Sequence, residues 1–268
     1  MPSLALAPGF DAIRGSLGPG GRLGVAALEV GGSRRLGFDE DGGYAMCSTF
    51  KLLLAAQILR LADERRLKLT DELPFGRADL LDNSPISQAN VRKGHLSIEA
   101  LAAAIVRHSD NSAANLLLKH AGGPAALTRF LRATGDRTTR LDRYEMPLNS
   151  NLPGDPRDTT TPRAMAETTA RLVTGDVLST GSRARLLSWL ETSVRFPDRL
   201  RGGLPRGWRV GHKPGTGRNG AHNDVAIAWP PGRPPIVIAS YISGGTASPE
   251  TRAAAHRSVG ALIARRFG

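Results

Sequence analysis

The spacing of apolar residues changes character twice along the chain. Near the N-terminus, "RLGVAALEV" and "RRLGFDED" are joined by "GGS", which predicts a hairpin of two strands after a short helix near Phe10 to Leu17. From Ser48 to about Trp189 the apolar residues recur at helical spacing. After "LPRGW" the period becomes two, so "WRVGHKPGTG", "HNDVAIAWP" and "PPIVIASYIS" predict three more strands before a closing helix.

The middle of the chain predicts a series of helices. Helical spacing runs through "STFKLLLAAQILRLADERR", "SIEALAAAIVRHS", "NSAANLLLKHAGG", "PAALTRFLRATG" and "GSRARLLSWLETS". A further segment, "PRAMAETTARLVTG", opens with Pro162 behind a run of threonines, which is a typical helix start. Residues 140–162 have no helical period, and a loop of that length inside a compact domain is usually functional or disordered.

Strands at both ends with helices between them favour one arrangement. If all the strands share one sheet, the chain cannot be two sequential domains, and the sheet must assemble from both termini. We therefore predict an α+β fold, with a five-stranded, mainly antiparallel sheet flanked by helices and an inserted all-helical lobe. A single domain would span 1–268, with a sheet lobe of about 1–46 and 206–268 and a helical lobe of about 47–205. A cleft between two lobes is a natural ligand site.

Composition excludes several classes of protein. An apolar content of 40% suits a globular core. The sequence contains no run of eighteen apolar residues, so it predicts no membrane-spanning helix. The start "MPSLALAPGF" lacks the basic and apolar regions of a secretory signal, so we expect a cytoplasmic protein or a mature chain. Cys47 is the single cysteine, which rules out an intrachain disulfide and a cysteine-based zinc cluster.

The net charge of +12 suggests nucleic-acid binding, because basic patches neutralise phosphates. Two observations argue against it. Aromatic residues make up only 5% of the chain, and the arginines are scattered along its whole length rather than grouped in a stripe. We therefore expect no nucleic-acid partner, although the positive field would attract anionic small molecules.

Ser48 stands three residues before Lys51, where a long apolar helix begins. Ser48 could be an ordinary helix N-cap and Lys51 a surface lysine. Alternatively, Ser48 is a nucleophile whose proton is managed by the amine one turn further on. The spacing alone does not decide between these interpretations.

Three further stretches carry candidate chemistry. "SDN", with Ser109, Asp110 and Asn111, precedes a helix and could simply be its start. "GHKPGTG", at the end of a predicted strand, has glycines that allow close approach of a ligand and a fixed positive charge on a lysine. The long segment 140–162 holds Glu145 and Asn149 at helical spacing. In the same segment Arg143 and Asp158 would clamp the two ends.

S-x-x-K, S-D-N and a K-T-G-like motif in this order form the signature of class A β-lactamases and penicillin-binding proteins. The chain resembles a class A serine β-lactamase over essentially its whole length. The resemblance rests on "STFK", "SDNSAANLL", "RLDRYEMPLN", "RDTTTP", "GLPRGW", "HKPGTG" and "NDVAIAWP". It implies hydrolysis of the β-lactam ring of small-molecule substrates, and the family's fold matches the predicted one.

The resemblance implies a set of catalytic residues. Ser48 is expected to open the ring and form an acyl-enzyme, while Lys51 shuttles its proton. Ser109 would pass a proton to the departing lactam nitrogen. Glu145, with Asn149 beside it, would hold and activate the hydrolytic water. Whether Lys51 or Glu145 is the acylation base is disputed for the family, and deacylation by Glu145 is the firmer assignment.

The resemblance also implies a set of binding residues. Asn111 would hold the acylamide side chain of the substrate. Lys213 would face the substrate carboxylate, with Gly215 and Thr216 following it along the cleft. The backbone N–H groups of Ser48 and Thr216 would form the oxyanion hole. No metal and no cofactor are expected.

Departures from the family pattern concern carboxylate recognition. Pro214 stands where the family usually has Ser or Thr after the motif lysine, so a hydroxyl is missing, and proline has no N–H to offer. His222 occupies the position of a frequent family arginine. Two other arginines can supply that charge in relatives, and both matching positions, Arg199 and Arg252, are arginine here. We favour Arg199.

The resemblance bears on three other positions. Asn83 stands where many relatives place an aromatic residue at the cleft mouth. Cys47 precedes the nucleophile, and Gly217 occupies the position of its possible disulfide partner. We therefore expect Cys47 to be a free buried thiol that acts as a small core hydrophobe.

The rival interpretations are a penicillin-binding protein or DD-peptidase, a related esterase, and a protein without catalysis. "EMPLN" argues against the first, because a deacylating Glu on that loop is the hydrolase feature. The esterase is favoured only if the change after Lys213 has ended carboxylate recognition. From the family we expect a monomer that works in the periplasm or outside the cell.

Overall fold

The computed structural model describes residues 9–268. Within that range the strands are β1 (Arg22–Glu29), β2 (Arg35–Phe38), β3 (Tyr44–Ala45), β4 (Glu72–Pro74), β5 (His95–Ser97), β6 (Thr159–Thr160), β7 (Arg209–Thr216), β8 (His222–Trp229) and β9 (Ile236–Ser243). The helices are α1 (Phe10–Gly15), α2 (Phe50–Asp63), α3 (Pro85–Asn90), α4 (Ile98–Arg107), α5 (Asn111–His120), α6 (Gly123–Ala133), α7 (Pro162–Thr174), α8 (Thr180–Glu191), α9 (Leu200–Gly203) and α10 (Pro249–Phe267). None of these helices is long and apolar enough to cross a membrane.

The main sheet has five strands in the order β2-β1-β9-β8-β7, and every neighbouring pair is antiparallel. β1 and β2 form the predicted hairpin, with Val25 opposite Phe38. β9 lies on the other side of β1, with Leu23 opposite Ile242. The sheet is therefore built from both ends of the chain, and the predicted α+β fold class is confirmed.

Both faces of this sheet are buried, because alternate residues of each strand point to opposite sides. Val25 of β1 and Ile238 of β9 belong to the apolar layer that includes residues of α1 and α10. Ala26 and Ala239, one residue further along each strand, belong to the larger layer formed with the central helices. A sheet packed on both faces gives β7, its edge strand, a fixed position.

Helix α2 runs through the middle of the molecule, and every residue from Phe50 to Leu59 is buried. A helix that is apolar on all sides belongs in a core. Lys51 is the exception within its first turn, and its side chain is fully buried as well. Because lysine is almost never fully buried unless it is paired, Lys51 marks a polar site inside an apolar helix.

Several short elements escaped the sequence analysis. The two-residue strands β3 and β6 pair Tyr44 with Thr160 and Ala45 with Thr159, and the backbone N–H of Met46 donates to the carbonyl of Asp158 at 2.9 Å. Strands this short show no period in the sequence. Their pairing joins the chain just before Ser48 to the end of the long loop 140–162.

A buried histidine lies between α10 and the sheet. The rings of His256 and His222 stack with centroids 5.2 Å apart. In His256, Nε2 lies 3.0 Å from the carbonyl of His222, and Nδ1 lies 2.9 Å from the hydroxyl of Ser240. Burial, reinforced by the positive charge of Arg199, lowers the pKa of His256 to about 4. His256 is therefore neutral in the folded protein at neutral pH.

We predict that His256 makes the fold sensitive to mild acid. Between about pH 6.5 and 4 an unfolded histidine binds a proton that His256 in the folded protein does not. The free energy of unfolding should therefore fall as the pH falls through this window, by up to roughly 3 kcal/mol from this residue. Urea unfolding at pH 7.5 and pH 5 measures the change, and His256→Gln should show a smaller loss. Equal losses in the two proteins would contradict the assignment.

Candidate active site

Ser48 lies in the 3-10 turn Cys47–Thr49 that leads into α2. Its side chain is half-buried, lines the main cleft, and makes no hydrogen bond to any residue of the described range 9–268. The interpretation of Ser48 as an N-cap is therefore wrong, since a cap requires its hydroxyl to bind a first-turn N–H. The hydroxyl is instead free to react.

The Lys51 ammonium is surrounded by acceptors from three parts of the chain. Its Nζ donates to the carbonyl of Ser109 at 2.9 Å and to Oδ1 of Asn111. It also lies 2.9 Å from Oε1 of Glu145, and both side chains have no solvent exposure. A buried ammonium is tolerated only when it is paired and hydrogen-bonded. These contacts hold a buried ion pair at the first turn of α2, the helix that Ser48 precedes.

Glu145 is fixed by two asparagines. Its Oε2 accepts from Nδ2 of Asn149 at 2.6 Å. Its backbone N–H donates to Oδ1 of Asn115, and its carbonyl accepts from Nδ2 of the same residue, at 2.9 and 3.0 Å. The sequence analysis missed Asn115. The available signal was its position one helical turn after Asn111, which places both side chains on the same face of α5.

Two buried acceptor oxygens near Lys51 accept no hydrogen bond from any residue of the described range. They are Oε1 of Glu145 and Oδ1 of Asn149. Lys51 lies within ion-pair distance of the first but is not aligned with it for a hydrogen bond. A buried polar atom without a partner is costly, so this corner is suited to a small hydrogen-bond donor such as water.

The loop that carries Glu145 is closed by charged contacts at its two ends. Nε of Arg143 donates to Oδ2 of Asp158 at 2.5 Å, and Oδ1 of Asp158 accepts from the backbone N–H groups of Asp142 and Arg143. In return, Asp142 accepts from the N–H of Asp158 at 2.9 Å. The predicted clamp between Arg143 and Asp158 is present.

The residues of "SDN" divide into structural and accessible groups. Asp110 is the N-cap of α5, and its carboxylate accepts from Ala113, from the backbone N–H of Ile86 and from Ser87. The helix-start interpretation therefore holds for this one member. Ser109 lies in the left-handed region with φ 60°, and it lines the cleft.

Lys213, on β7, contacts the hydroxyl of Ser109. Its Nζ donates to Oγ of Ser109 at 3.1 Å and to the carbonyl of Pro214 at 2.7 Å. Burial, together with the positive charge of Lys51, holds the pKa of Lys213 well below its usual range. Its ammonium therefore gives up a proton more readily than an exposed lysine would.

Strand β7 approaches the Ser48 turn very closely at Gly215. A Cβ on that residue would lie 2.9 Å from the carbonyl of Met46 and 3.2 Å from the N–H nitrogen of Ser48. Only glycine allows this approach without displacing backbone. Thr216, the next residue, is exposed and lines the cleft together with Ser48.

Cys47 is a free, buried thiol, as predicted. Burial raises its pKa to about 12, so the thiol stays protonated. A Cβ on Gly217 would lie 2.5 Å from the Cys47 sulfur, which leaves no room for a larger residue there.

The two arginines expected near the substrate carboxylate occupy different surroundings. Nη1 of Arg199 donates to the carbonyls of Gly215 and Asn223, both at 2.8 Å, and Nη2 donates to Oγ1 of Thr216 at 2.6 Å. Burial lowers the pKa of Arg199 to about 10. Arg252 donates to four backbone carbonyls, those of Gly220, Gly244, Gly245 and Ala247. Neither arginine is among the residues that line the cleft, but Arg199 contacts Thr216, which is.

The cleft has a volume of about 750 Å³. Its lining within residues 9–268 contains three arginines and no carboxylate. Besides Ser48, Ser109 and Thr216, the lining includes Asn83, Asn111, Asn149, Arg143, Arg195, Phe196, Pro214, Gly215 and Arg218. Ser48, Ser109, Asn83, Asn111, Asn149, Gly215 and Thr216 were predicted from the sequence, whereas Arg195, Phe196 and Arg218 were not.

Known proteins resemble this chain over nearly its whole length. Residues 11–267 match the Beta-lactamase enzyme family. Beta-lactamase CTX-M-8 of Citrobacter amalonaticus is 40% identical over 246 residues, which cover 92% of this chain and 83% of that protein. The carbapenem-hydrolyzing beta-lactamase KPC of Klebsiella oxytoca is 42% identical over 223 residues, or 83% of this chain and 76% of that protein.

Solved structures agree with the sequence relatives. An ancestral class A β-lactamase is 46% identical, with a TM-score of 0.95, and the match covers 98% of this chain and 100% of that one. A β-lactamase from Burkholderia vietnamiensis is 44% identical, with a TM-score of 0.94 and coverage of 98% and 96%. The chain belongs to the class A β-lactamase family.

Proposed function

We propose that this protein hydrolyses the β-lactam ring of penicillins and cephalosporins through an acyl-enzyme on Ser48, and so confers resistance to these antibiotics. The observation that carries the proposal is the grouping of a free serine hydroxyl, the buried Lys51–Glu145 pair and the Lys213–Ser109 contact at one cleft. These groups match the requirements of acyl transfer: a nucleophile, a base beside it and a proton donor for the leaving nitrogen.

Acylation begins when the Ser48 oxygen attacks the lactam carbonyl carbon. Its proton passes into the Lys51–Glu145 pair, and the carbonyl oxygen becomes an oxyanion that the N–H groups of Ser48 and Thr216 stabilise. When the ring C–N bond breaks, the nitrogen takes a proton from the Ser109 hydroxyl. Lys213, whose pKa is low and whose Nζ is 3.1 Å from that hydroxyl, replaces the proton.

Deacylation requires a water molecule beside the ester. Oε1 of Glu145 and Oδ1 of Asn149, the two buried acceptors without protein donors, would both be satisfied by one water. Glu145 takes a proton from this water as its oxygen attacks the ester, and passes that proton to the departing Ser48 oxygen. The proton that the Lys51–Glu145 pair gained in acylation is then returned to Lys213, so that every group regains its starting protonation state. This arrangement favours a hydrolase over a penicillin-binding protein or DD-peptidase, whose acyl-enzyme persists.

Substrate binding uses the edge of β7 and the start of α5. The Nδ2 of Asn111 donates to the carbonyl of Asp82 at 2.8 Å and contacts the sulfur of Met146 at 3.0 Å. The acylamide carbonyl of the substrate would displace the Met146 sulfur and accept a stronger hydrogen bond from Nδ2 of Asn111. Gly215 lets β7 lie close to the Ser48 turn, so that the substrate can contact the strand and the nucleophile together.

The substrate carboxylate is proposed to lie between Lys213 and Thr216. Because Oγ1 of Thr216 already accepts from Arg199, its own hydrogen remains available to donate to the carboxylate. Arg199 thus acts through Thr216. Arg252, which donates to the backbone carbonyls of Gly220 and Gly244, is proposed to hold the loop between β7 and β8 against the loop that follows β9.

We also propose that the chain works as a monomeric single domain, with its cleft between a sheet lobe and a helical lobe. Family membership supports action in the periplasm or outside the cell. The match to the family over residues 11–267 supports one domain rather than two.

Glu145→Gln is expected to acylate but to deacylate far more slowly, because an amide cannot take the proton of the hydrolytic water. Mass spectrometry after mixing with benzylpenicillin should show a persistent adduct one substrate heavier. Ser48→Ala is the matched control and should show neither adduct nor turnover. Rapid return of Glu145→Gln to the unmodified mass would refute the role of Glu145, and full turnover by Ser48→Ala would refute the mechanism.

Pro214→Thr is expected to increase kcat/KM for penicillins. Pro214 lines the cleft on an edge strand, where proline is tolerated, but it offers the carboxylate no donor. A hydrogen bond to a charged group is worth roughly 1.5–3 kcal/mol, or about a 10- to 150-fold change in kcat/KM. Pro214→Ala removes the ring without adding a hydroxyl and serves as the control. If the threonine variant does no better than the alanine variant, the missing hydroxyl is not the limitation.

A further inference from the structure

The segment between α8 and α9 forms one wall of the cleft and has no role in the steps above. Arg195 and Phe196 both line the cleft from this segment. Phe196 has φ 49° and is 40% exposed. The left-handed region is unfavourable for a bulky side chain, and backbone strain of this kind tends to persist where function uses it. The exposed ring and its neighbour are therefore candidates for substrate contact.

The Phe196 ring contacts two guanidinium groups. Cζ of Arg199 lies 4.3 Å from the ring centroid, and Cζ of Arg195 lies 4.8 Å from it. Both distances are within the range of a cation–π interaction. The aromatic ring therefore holds the Arg195 guanidinium at the cleft wall. A carboxylate in the same place would neutralise its charge, whereas the ring does not.

The arginines near the cleft differ in how many hydrogen bonds and ion pairs they form with the protein. Arg199 donates to two carbonyls and to Thr216, and Arg252 donates only to carbonyls. Arg143 is paired with Asp158. Arg195 makes no side-chain hydrogen bond or ion pair with any residue of the described part of the chain, and its Nε is a buried donor without a partner. An anion that enters the cleft meets in Arg195 a half-buried charge that has no counter-charge among the described residues and whose Nε has no acceptor.

We propose that Arg195 forms the direct ion pair with the carboxylate of the β-lactam substrate, and that Phe196 is the residue that positions it. The inference rests on the proposed function, since it names the group that recognises the anion of that substrate. Lys213 and the Thr216 hydroxyl approach the carboxylate from β7, and Arg195 approaches from the opposite segment. This assigns to Arg195 the direct contact that the sequence analysis expected of Arg199.

The test compares benzylpenicillin with its methyl ester, which lacks the negative charge. Arg195→Ala should lower kcat/KM for the acid by about tenfold, mainly through KM, because a hydrogen bond to a charged group is lost. It should leave kcat/KM for the ester nearly unchanged. Phe196→Ala should give a smaller loss, again confined to the acid, and Phe196→Tyr, which keeps the ring, should restore the wild-type ratio of acid to ester.

Arg218→Ala is the charge-matched control, since Arg218 also lines the cleft and makes no side-chain contact with a carboxylate of the described residues. If Arg195→Ala and Arg218→Ala lower the acid rate equally, the effect is the general field of the cleft and the proposal is wrong. Equal losses for acid and ester in Arg195→Ala would show a structural role and also overturn it. Wild-type protein that hydrolyses neither compound would overturn the proposed function itself, and this inference with it.

Discussion

The ion pair of Lys51 and Glu145 connects the elements of the site. Its two charged atoms lie 2.9 Å apart in side chains that have no solvent exposure, so each charge has exchanged its hydration for protein contacts. Those contacts come from the first turn of α2, from Ser109 and Asn111 at the start of α5, and from the loop 140–162. Loss of one partner of a buried pair typically costs about 3–5 kcal/mol. This pair therefore links the loop to α2 and α5, in addition to the clamp between Arg143 and Asp158 that closes the loop.

The cost of burying cations is offset by backbone carbonyls. Lys213 uses the carbonyl of Pro214, Arg199 uses those of Gly215 and Asn223, and Arg252 uses four more. Carbonyl groups solvate a cation without cancelling its charge. The cleft therefore keeps a positive field toward an anionic substrate, which a set of carboxylate partners would remove. The sheet, packed on both faces, keeps these carbonyls in fixed positions.

Local periodicity predicted the strands of the main sheet and the long helices, since β1, β7 and α2 carry their own signals. Motif order led to Ser48, Ser109 and Lys213, and charge placement led to the clamp of the loop. Contacts between distant segments were not accessible in this way. Asn115 looks like any polar residue of a helix, and Arg199 and Arg252 look equivalent until the carbonyls around each are known. The importance of Phe196 can be recognised only from its backbone conformation and from the two guanidinium groups beside its ring, neither of which the sequence shows.

In the proposed mechanism, the difference between a hydrolase and a slow acyl-enzyme depends on how accurately Glu145 is held. Asn115 fixes its backbone from α5, Asn149 fixes one carboxylate oxygen from the same loop, and Lys51 lies beside the other from α2. Three anchors on three segments leave the carboxylate little freedom to rotate. A misplacement of about 1 Å can cost a hundredfold in rate, so a base for water must be held at this accuracy. Under the proposed mechanism, the loop clamp would therefore support deacylation by holding the loop that carries Glu145.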